Sequence, residues 1–138
     1  MKMSSEIIRD VIICIEHKLN IDSDITSLEI NTIFWKNIYE DSVLCAKYNI
    51  DDIKYCIYKL CEDEFIEAEV RTGGSRIYYI DIHDITWKGY ELLNNIKDNS
   101  VWDLVKSKLQ FGTNISISAM SDIIKAAIVA KAKGCLNI

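Results

Sequence analysis

The sequence has no proline and only five glycines in 138 residues. These two residue types most often interrupt helices and mark linkers, so their scarcity predicts a chain without an extended linker. No segment repeats at a solenoid period, and no apolar run approaches the roughly 20 residues that a membrane-spanning helix needs. With 49% hydrophobic residues, the chain is long enough to bury an ordinary core. We expect one compact unit with a helical extension.

Signals for secretion and for metal binding are also missing. The first residues lack the basic segment, apolar core and cleavage site of a signal peptide. Five cysteines without a C-x-x-C pair are typical of a reducing compartment, so we expect a cytoplasmic protein. Cys14 lies three residues before His17, but no second ligand pair has the spacing of a structural zinc site. We therefore expect neither a metal nor a cofactor.

The central residues 49–64 predict an amphipathic helix. Asn49 is placed to cap it, and Asp51 and Asp52 fall in its first turn, where the helix dipole favours carboxylates. Apolar spacing of three and four residues predicts a buried stripe of Ile53, Cys56, Ile57, Leu60 and Cys61. The same spacing predicts an outward face of Lys54, Tyr55, Tyr58, Lys59 and Glu62.

A hairpin and another helix are predicted to follow. After Glu64, apolar and charged residues alternate as in a half-buried strand, and residues 72–75 form a tip with two glycines before the return strand of residues 76–82. A cap at residues 84–86 opens the next helix. Its predicted apolar face consists of Trp87, Tyr90, Leu92, Leu93 and Ile96. Gly89 in that helix costs about 1 kcal/mol relative to alanine, which indicates a close backbone contact beneath it.

The N-terminal part predicts two more helices and one ambiguous segment. Ser4 or Ser5 can cap a first helix that ends near Asn20. Residues 41–47 predict a short helix that leads into the central one. Between them, the stretch from Ile30 to Ile38 fits either a helix or a strand, and its pattern does not decide between the two.

The C-terminal part predicts two helices. Asn99 or Ser100 can cap the first of them. The second spans residues 118–133, with Gly134 as its C-cap. This last helix is apolar around most of its circumference, so we expect it to be buried, either within the domain or across a dimer.

The predicted order of helix, short helix, helix, hairpin and helix is that of winged helix-turn-helix domains. Residues 84–93 resemble the Leu-Thr-x-x-Gly-x-x-x-Leu motif that follows the wing in many of them. Nearly the whole chain resembles an uncharacterised family called domain of unknown function 2513, which is common in bacteria and their prophages. The matching pieces are Ile8-Arg9-Asp10, Asp52-Ile53-Lys54-Tyr55, Ile82-His83-Asp84-Ile85-Thr86 with Gly89, and Val101-Trp102.

This resemblance implies a fold and a genomic setting but no activity. We expect a mainly helical α+β protein, with a winged helix-turn-helix domain and a two-stranded wing in residues 1–98 and a C-terminal helical extension in residues 99–138. The chain departs from the family at two positions: Cys56 stands where members often have histidine, and Glu64 where they have a helix-ending glycine. Glu64 then takes a left-handed backbone at a cost of roughly 1 kcal/mol, or the helix ends differently.

Charge is unevenly distributed along the chain. The net charge is −5, and residues 99–138 carry five lysines against two aspartates, so residues 1–98 carry −8. Within residues 51–64, five acids against two lysines give −3. Phosphate contacts need cations, so this helix is poorly suited to the major groove of DNA. Arg71 and Arg76 near the hairpin tip can bind a phosphate, although Glu67 and Glu69 beside them indicate a solvated charge pattern.

Two hypotheses of function remain. The first is a non-enzymatic, prophage-type transcription regulator, dimeric through its C-terminal helices, that contacts duplex DNA. Its contact residues are Lys54, Tyr55, Tyr58, Arg71, Arg76 and Lys88. The second is a protein-interaction module whose acidic surface docks on a host or phage protein, for example as a DNA-mimicking inhibitor. DNA binding is the common function of winged helix domains, and this favours the first hypothesis.

Catalysis is the least supported alternative. His83 and Asp84 are adjacent, but the sequence places no serine or cysteine next to them. Gly73 and Gly74 form a hairpin tip without the strand, loop and helix context of a phosphate-binding loop. We therefore expect no enzyme activity and no membrane partner.

Overall fold

The structure, a computed structural model, describes residues 3–21, 32–109 and 113–136. These residues form seven helices and three strands. The elements are α1 (Ser5–Ile21), β1 (Ile33–Phe34), α2 (Trp35–Tyr39), α3 (Ser42–Lys47), α4 (Ile50–Glu62), β2 (Ile66–Gly73), β3 (Arg76–Ile85), α5 (Trp87–Lys97), α6 (Asn99–Lys108) and α7 (Ile117–Leu136). The described chain is therefore a mainly helical α+β protein, as predicted.

The small sheet has three antiparallel strands, with β3 between β1 and β2. β2 and β3 form the predicted hairpin, and Gly74 in its turn has a positive φ of 63°. The sequence pattern does not predict the third strand of the sheet, β1, which pairs with the free edge of β3 opposite Ile82 and Asp81. The ambiguous stretch thus contains both structures: β1 leads directly into α2, while Ile30 lies outside the described residues.

One hydrophobic cluster holds the helices against the inner face of this sheet. α2 and α5 pack against β3, and α4 packs against β2 and α1. The alternation along β3 places Ile80 and Ile82 in the cluster. Full burial of one such side chain contributes about 1.5–3 kcal/mol. The fully buried residues of α4 are Ile53, Cys56, Ile57 and Leu60, which confirms that part of the predicted stripe, whereas Cys61 is half-buried.

α4 ends in a Schellman motif. The Phe65 N–H donates to the Leu60 carbonyl at 2.8 Å, and the Glu64 N–H donates to the Cys61 carbonyl at 3.1 Å. The motif needs a left-handed residue between helix and strand, and Glu64 supplies it with a φ of 65°. The predicted strain of about 1 kcal/mol at Glu64 therefore has a geometric basis.

The start of α5 is fastened to this motif. Thr86 caps α5 by accepting from the Gly89 N–H at 3.1 Å, and its hydroxyl donates to the Glu64 carbonyl at 2.6 Å. A Cβ on Gly89 would lie 1.9 Å from the Phe65 carbonyl oxygen. The predicted close contact beneath Gly89 is thus confirmed, and α5 is held rigidly against the end of α4.

Three predicted helix ends differ in the structure. Asn49 occupies the N-cap position of α4 but makes no side-chain cap bond. The cap of α6 is Asp98, one residue earlier than predicted, because its carboxylate accepts from the Ser100 and Val101 N–H groups. α7 continues past Gly134 to Leu136, so Gly134 is not its C-cap.

α7 packs against α1, α5 and α6 within the same chain. Its buried side includes Met120, Ile124 and Ala127, and Lys131 reaches Asp98 at the start of α6 at 3.3 Å. Its outer side leaves Val129 52% exposed. The domain division at residue 98 and the dimer through the C-terminal helices stay predictions.

Candidate interaction surface

The exposed side of α4 is acidic along its centre. At 100° per residue, the direction opposite its buried stripe is occupied by Asp51, Tyr55, Tyr58 and Glu62, which we call the outer row. Hydrogen bonds from Tyr58 and Lys59 hold the pKa of Glu62 below its usual value. The same bond to Glu62 raises the pKa of Tyr58. A partner approaching α4 therefore meets the carboxylates of Asp51 and Glu62 and the phenols of Tyr55 and Tyr58 first.

The two lysines of α4 flank this row and have local partners. The Lys54 ammonium lies 4.7 Å from the ring centroid of Tyr39 and 5.4 Å from that of Trp35 on α2. Lys59 lies 3.0 Å from a Glu62 oxygen and within 6 Å of the ring centroids of Tyr55 and Tyr58. A cation over a ring is worth about 0.5–1 kcal/mol at an exposed site, so neither ammonium is free of intramolecular attraction.

On the hairpin, Arg71 bridges two acids. Its guanidinium lies 3.5 Å from both the Glu69 and the Asp81 carboxylates and 5.5 Å from the Tyr79 ring centroid. Glu69 and Asp81 are cross-strand partners, and like charges in that position repel. We call these four residues the arginine cluster. Within it, Asp81 is only 7% exposed, and its second oxygen has no hydrogen-bond partner among the described residues.

Arg76 lies at the tip of the hairpin, and Lys88 lies on α5, just after the other end of β3. Arg76 is exposed at the tip, and in the part of the chain that the structure describes its side chain has no acidic or hydrogen-bonding partner. Lys88, on the first turn of α5, donates to the Asp63 carbonyl at 3.0 Å and lies 4.4 Å from the Phe65 ring centroid.

The six residues predicted as contacts therefore do not form one compact site. Lys54 contacts α2, Arg71 and Arg76 lie on the hairpin, and Lys88 lies where α4 meets α5. Tyr55 and Tyr58 share the exposed side of α4, although both are half-buried rather than fully exposed. What the six share is a position on α4, the hairpin or the first turn of α5.

Sequence reasoning missed the most exposed aromatic residue. Trp87 was expected on the apolar face of α5, yet it is 87% exposed, and Tyr90 is 36% exposed. The sequence spacing already indicated this exposure. Ile96 lies nine residues after Trp87, which is two and a half helical turns, so the two side chains lie on opposite faces of α5. Trp87, Tyr90, Glu91, Asn94 and Asn95 line a hollow of about 270 Å³.

A larger groove of about 660 Å³ lies between α1, α4 and α6. Arg9 crosses it, donating to the Ile96 carbonyl at 3.2 Å and lying 4.8 Å from the Trp102 ring centroid. Asp10 accepts from the Tyr48 hydroxyl at 2.6 Å, and burial, followed by this bond, raises the pKa of Tyr48. These residues of the family resemblance thus join helices, and we assign them a structural role.

Within residues 3–21, 32–109 and 113–136, no three His, Cys, Asp or Glu side chains are grouped so as to hold a metal ion. Burial raises the pKa of Cys14 to about 11, so its thiol stays protonated at neutral pH. None of the helices in these ranges has both the length and the apolar character that a bilayer crossing requires.

A family model described as a hypothetical protein, DUF2513, matches residues 2–114. This match covers most of the chain and confirms the resemblance noted in the sequence. No curated protein and no solved structure gives a significant match.

Proposed function

We propose that the chain, which belongs to the family called domain of unknown function 2513, is a winged helix-turn-helix protein that binds a basic protein partner through an acidic face. The observation that carries the proposal is the outer row of α4, with Asp51 and Glu62 at its centre and both lysines drawn to its flanks.

The order of elements supports the winged helix assignment. α3 and α4 are joined by two residues, as in a helix-turn-helix pair, and the hairpin follows directly with β1 on its other edge. In this arrangement α4 takes the position of the recognition helix and the β2–β3 hairpin that of the wing. The surface that a winged helix normally presents to its ligand is therefore the outer row together with the hairpin.

The charges on that surface favour a cationic ligand. Each phosphate contact needs a cation or a hydrogen-bond donor, and an acidic first turn repels the DNA backbone. Lys54, Lys59 and Arg71 already contact rings or carboxylates, and the first turn carries Asp51. A basic protein surface instead gains attraction from Asp51, and at Glu62 it competes only with the exposed ion pair to Lys59.

One titration with two probes tests this proposal. We expect a fluorescein-labelled arginine-rich peptide to bind in an anisotropy assay at low salt and to weaken as salt rises, whereas a labelled random duplex does not bind. The double variant Asp51→Asn and Glu62→Gln should bind the peptide about five-fold more weakly, since an exposed ion pair is worth up to about 1 kcal/mol.

The matched control makes the same charge change elsewhere. Asp103 on α6 and Asp122 on α7 are exposed and lie outside the winged surface. The double variant Asp103→Asn and Asp122→Asn should bind the peptide as the wild type does. Equal weakening in both double variants, or tighter binding to the duplex than to the peptide, would reject the proposal.

A DNA-binding transcription regulator is the second candidate. Arg76 at the hairpin tip favours it, because its side chain has no ion pair with any residue that the structure describes. Wing-tip arginines contact phosphates or the minor groove in proteins of this fold class. In this case the duplex binds at low salt, and Arg76→Ala weakens all sequences about equally and lowers the salt slope by about 1. The duplex arm of the same titration separates the two candidates.

A further inference from the structure

Trp87 is held in an exposed position by a rigid base. An indole normally buries a large apolar area, yet the side chain of Trp87 remains 87% exposed at the first position of α5. The Thr86 cap and the close contact at Gly89 hold this end of α5 against the end of α4. An aromatic ring presented on a fixed helix end is typical of a protein contact.

Three acidic side chains lie near Trp87 in the sequence or across the hairpin: Glu67, Asp84 and Glu91. Glu67 and Asp84 are cross-strand partners at the base of the hairpin, where like charges repel. The Tyr90 hydroxyl donates to Asp84 at 3.4 Å, which ties this acid pair to the aromatic residues of α5. Glu91 lies one turn beyond Trp87. In the described part of the chain no lysine or arginine is paired with Glu67 or Asp84.

The same hairpin contains a completed version of this arrangement. In the arginine cluster, an acid pair of cross-strand partners is bridged by one guanidinium that also lies beside a tyrosine ring. The pair of Glu67 and Asp84 also has an aromatic side chain bonded to it, Tyr90, but no guanidinium among the described residues. Trp87, Tyr90 and Glu91 line part of a hollow of about 270 Å³, and Tyr90 connects this hollow to Asp84.

We propose that Glu67, Asp84, Trp87 and Tyr90 form a docking site for one arginine side chain of the partner protein, which we call the Trp87 site. The guanidinium bridges the acid pair and stacks on the indole. Arginine fits better than lysine, because its planar group forms two parallel bonds to carboxylates and stacks on rings. This inference rests on the proposed function and adds to it the anchor residue of the partner.

Tryptophan fluorescence provides the test. Trp35 and Trp102 are each only 6% exposed, so acrylamide quenching reports mainly on Trp87. We expect an arginine-rich peptide to protect the emission from acrylamide and to bind at least about three-fold tighter than a lysine-rich peptide of equal length and charge. Asp84→Asn and Glu67→Gln should each lower the affinity about five-fold, and Trp87→Phe should abolish the protection.

The outcomes separate this inference from the broader proposal. The Trp87 site is rejected if the peptide binds the Asp84 and Glu67 variants as tightly as the wild type. The acidic interaction face remains supported if, in the same assay, the double variant of the outer row binds more weakly. Equal affinity for arginine and lysine peptides also rejects the site. If no basic peptide binds, both proposals fail. A further outcome is that Trp87 is protected from acrylamide without any peptide, to a degree that rises with protein concentration and is lost in Arg76→Ala. That result would make a second copy of the chain the occupant and would reject a foreign partner.

Discussion

Gly89→Ala tests how closely α5 lies on the junction between α4 and β2. The new Cβ would be 1.9 Å from the Phe65 carbonyl oxygen and 2.7 Å from Cγ2 of Ile85, where ordinary contacts begin at 3.4 Å. The Ile85 side chain can adjust by rotation. The Phe65 oxygen belongs to the backbone of the Schellman motif, so α5 itself must move away by more than 1 Å.

Three terms set the expected loss in the free energy of unfolding. Overpacking of a close contact costs about 1–3 kcal/mol. The shift of α5 also stretches the bond from the Thr86 N–H to the Phe65 carbonyl, which is 3.2 Å long and worth about 1 kcal/mol. Against these, alanine gains about 1 kcal/mol over glycine in a helix interior. The net expectation is a destabilisation of about 2 kcal/mol.

Urea and thermal unfolding followed by circular dichroism measure this change. A loss of about 2 kcal/mol corresponds to a melting temperature lower by about 6 °C in a domain of this size. Asn94→Ala is the control, because Asn94 is exposed on the same helix. The higher helix propensity of alanine should raise the unfolding free energy of this variant by about 0.5 kcal/mol. A Gly89→Ala variant as stable as the wild type would refute the close contact.

Four further predictions follow from particular residues. Glu64→Gly should raise the free energy of unfolding by about 0.5–1 kcal/mol by relieving the left-handed strain, and a lower urea midpoint would contradict the Schellman geometry. Hydrogen bonds from Ser100, then Val101, lower the pKa of Asp98 to about 2, so the stability that ionised Asp98 contributes is complete above the unfolded pKa of 3.8 and is lost as the pH falls toward 2. The difference in unfolding free energy between the wild type and Asp98→Asn should therefore narrow over that pH range. A difference that does not change with pH would contradict this role of Asp98. Exposed Cys45 should react with maleimide in the folded protein, whereas Cys56, whose pKa is raised by burial, should react only on unfolding; equal rates in peptide mass spectrometry would be inconsistent with the core. If the outer side of α7 forms a dimer, light scattering should find a dimeric wild type and a monomeric Val129→Lys, and a monomeric wild type would remove the dimer.

Much of the central fold could be predicted because its determinants are local. The buried stripe of α4 follows from apolar spacing, the hairpin from alternation and a glycine tip, and the close contact at Gly89 from a glycine where a helix would prefer alanine. Each of these features depends on residues within a few positions of one another. The left-handed Glu64 also follows locally, since a Schellman ending requires one residue with positive φ.

The remaining features depend on distant parts of the chain. β1 is only two residues long, and it is a strand because the free edge of β3 pairs with it, so no local pattern in that stretch could identify it. The acid pair of Glu67 and Asp84 is visible only once the hairpin register and its bulges are known. Trp87 is a different case, because helical phase excludes it from the apolar face, and hydrophobicity alone gave the wrong assignment.

The sign of the partner's charge follows from helix phase more than from charge count. Residues 51–64 carry −3 in total, but that sum treats every charge as equally accessible. Phase places Asp51 and Glu62 at the centre of the exposed side, while Lys54 is drawn toward the rings of α2 and Lys59 toward Glu62 and the two tyrosines of α4. The centre of the exposed side therefore carries two carboxylates, of which Glu62 is paired with Lys59 and Asp51 has no lysine beside it among the described residues. A phosphate backbone would have to displace these lysines and approach Asp51, whereas a basic protein segment can approach Asp51 directly and exchange with Lys59 at Glu62. We infer that α4 and the hairpin, the elements with which winged helix-turn-helix regulators bind DNA, bind cations in this chain.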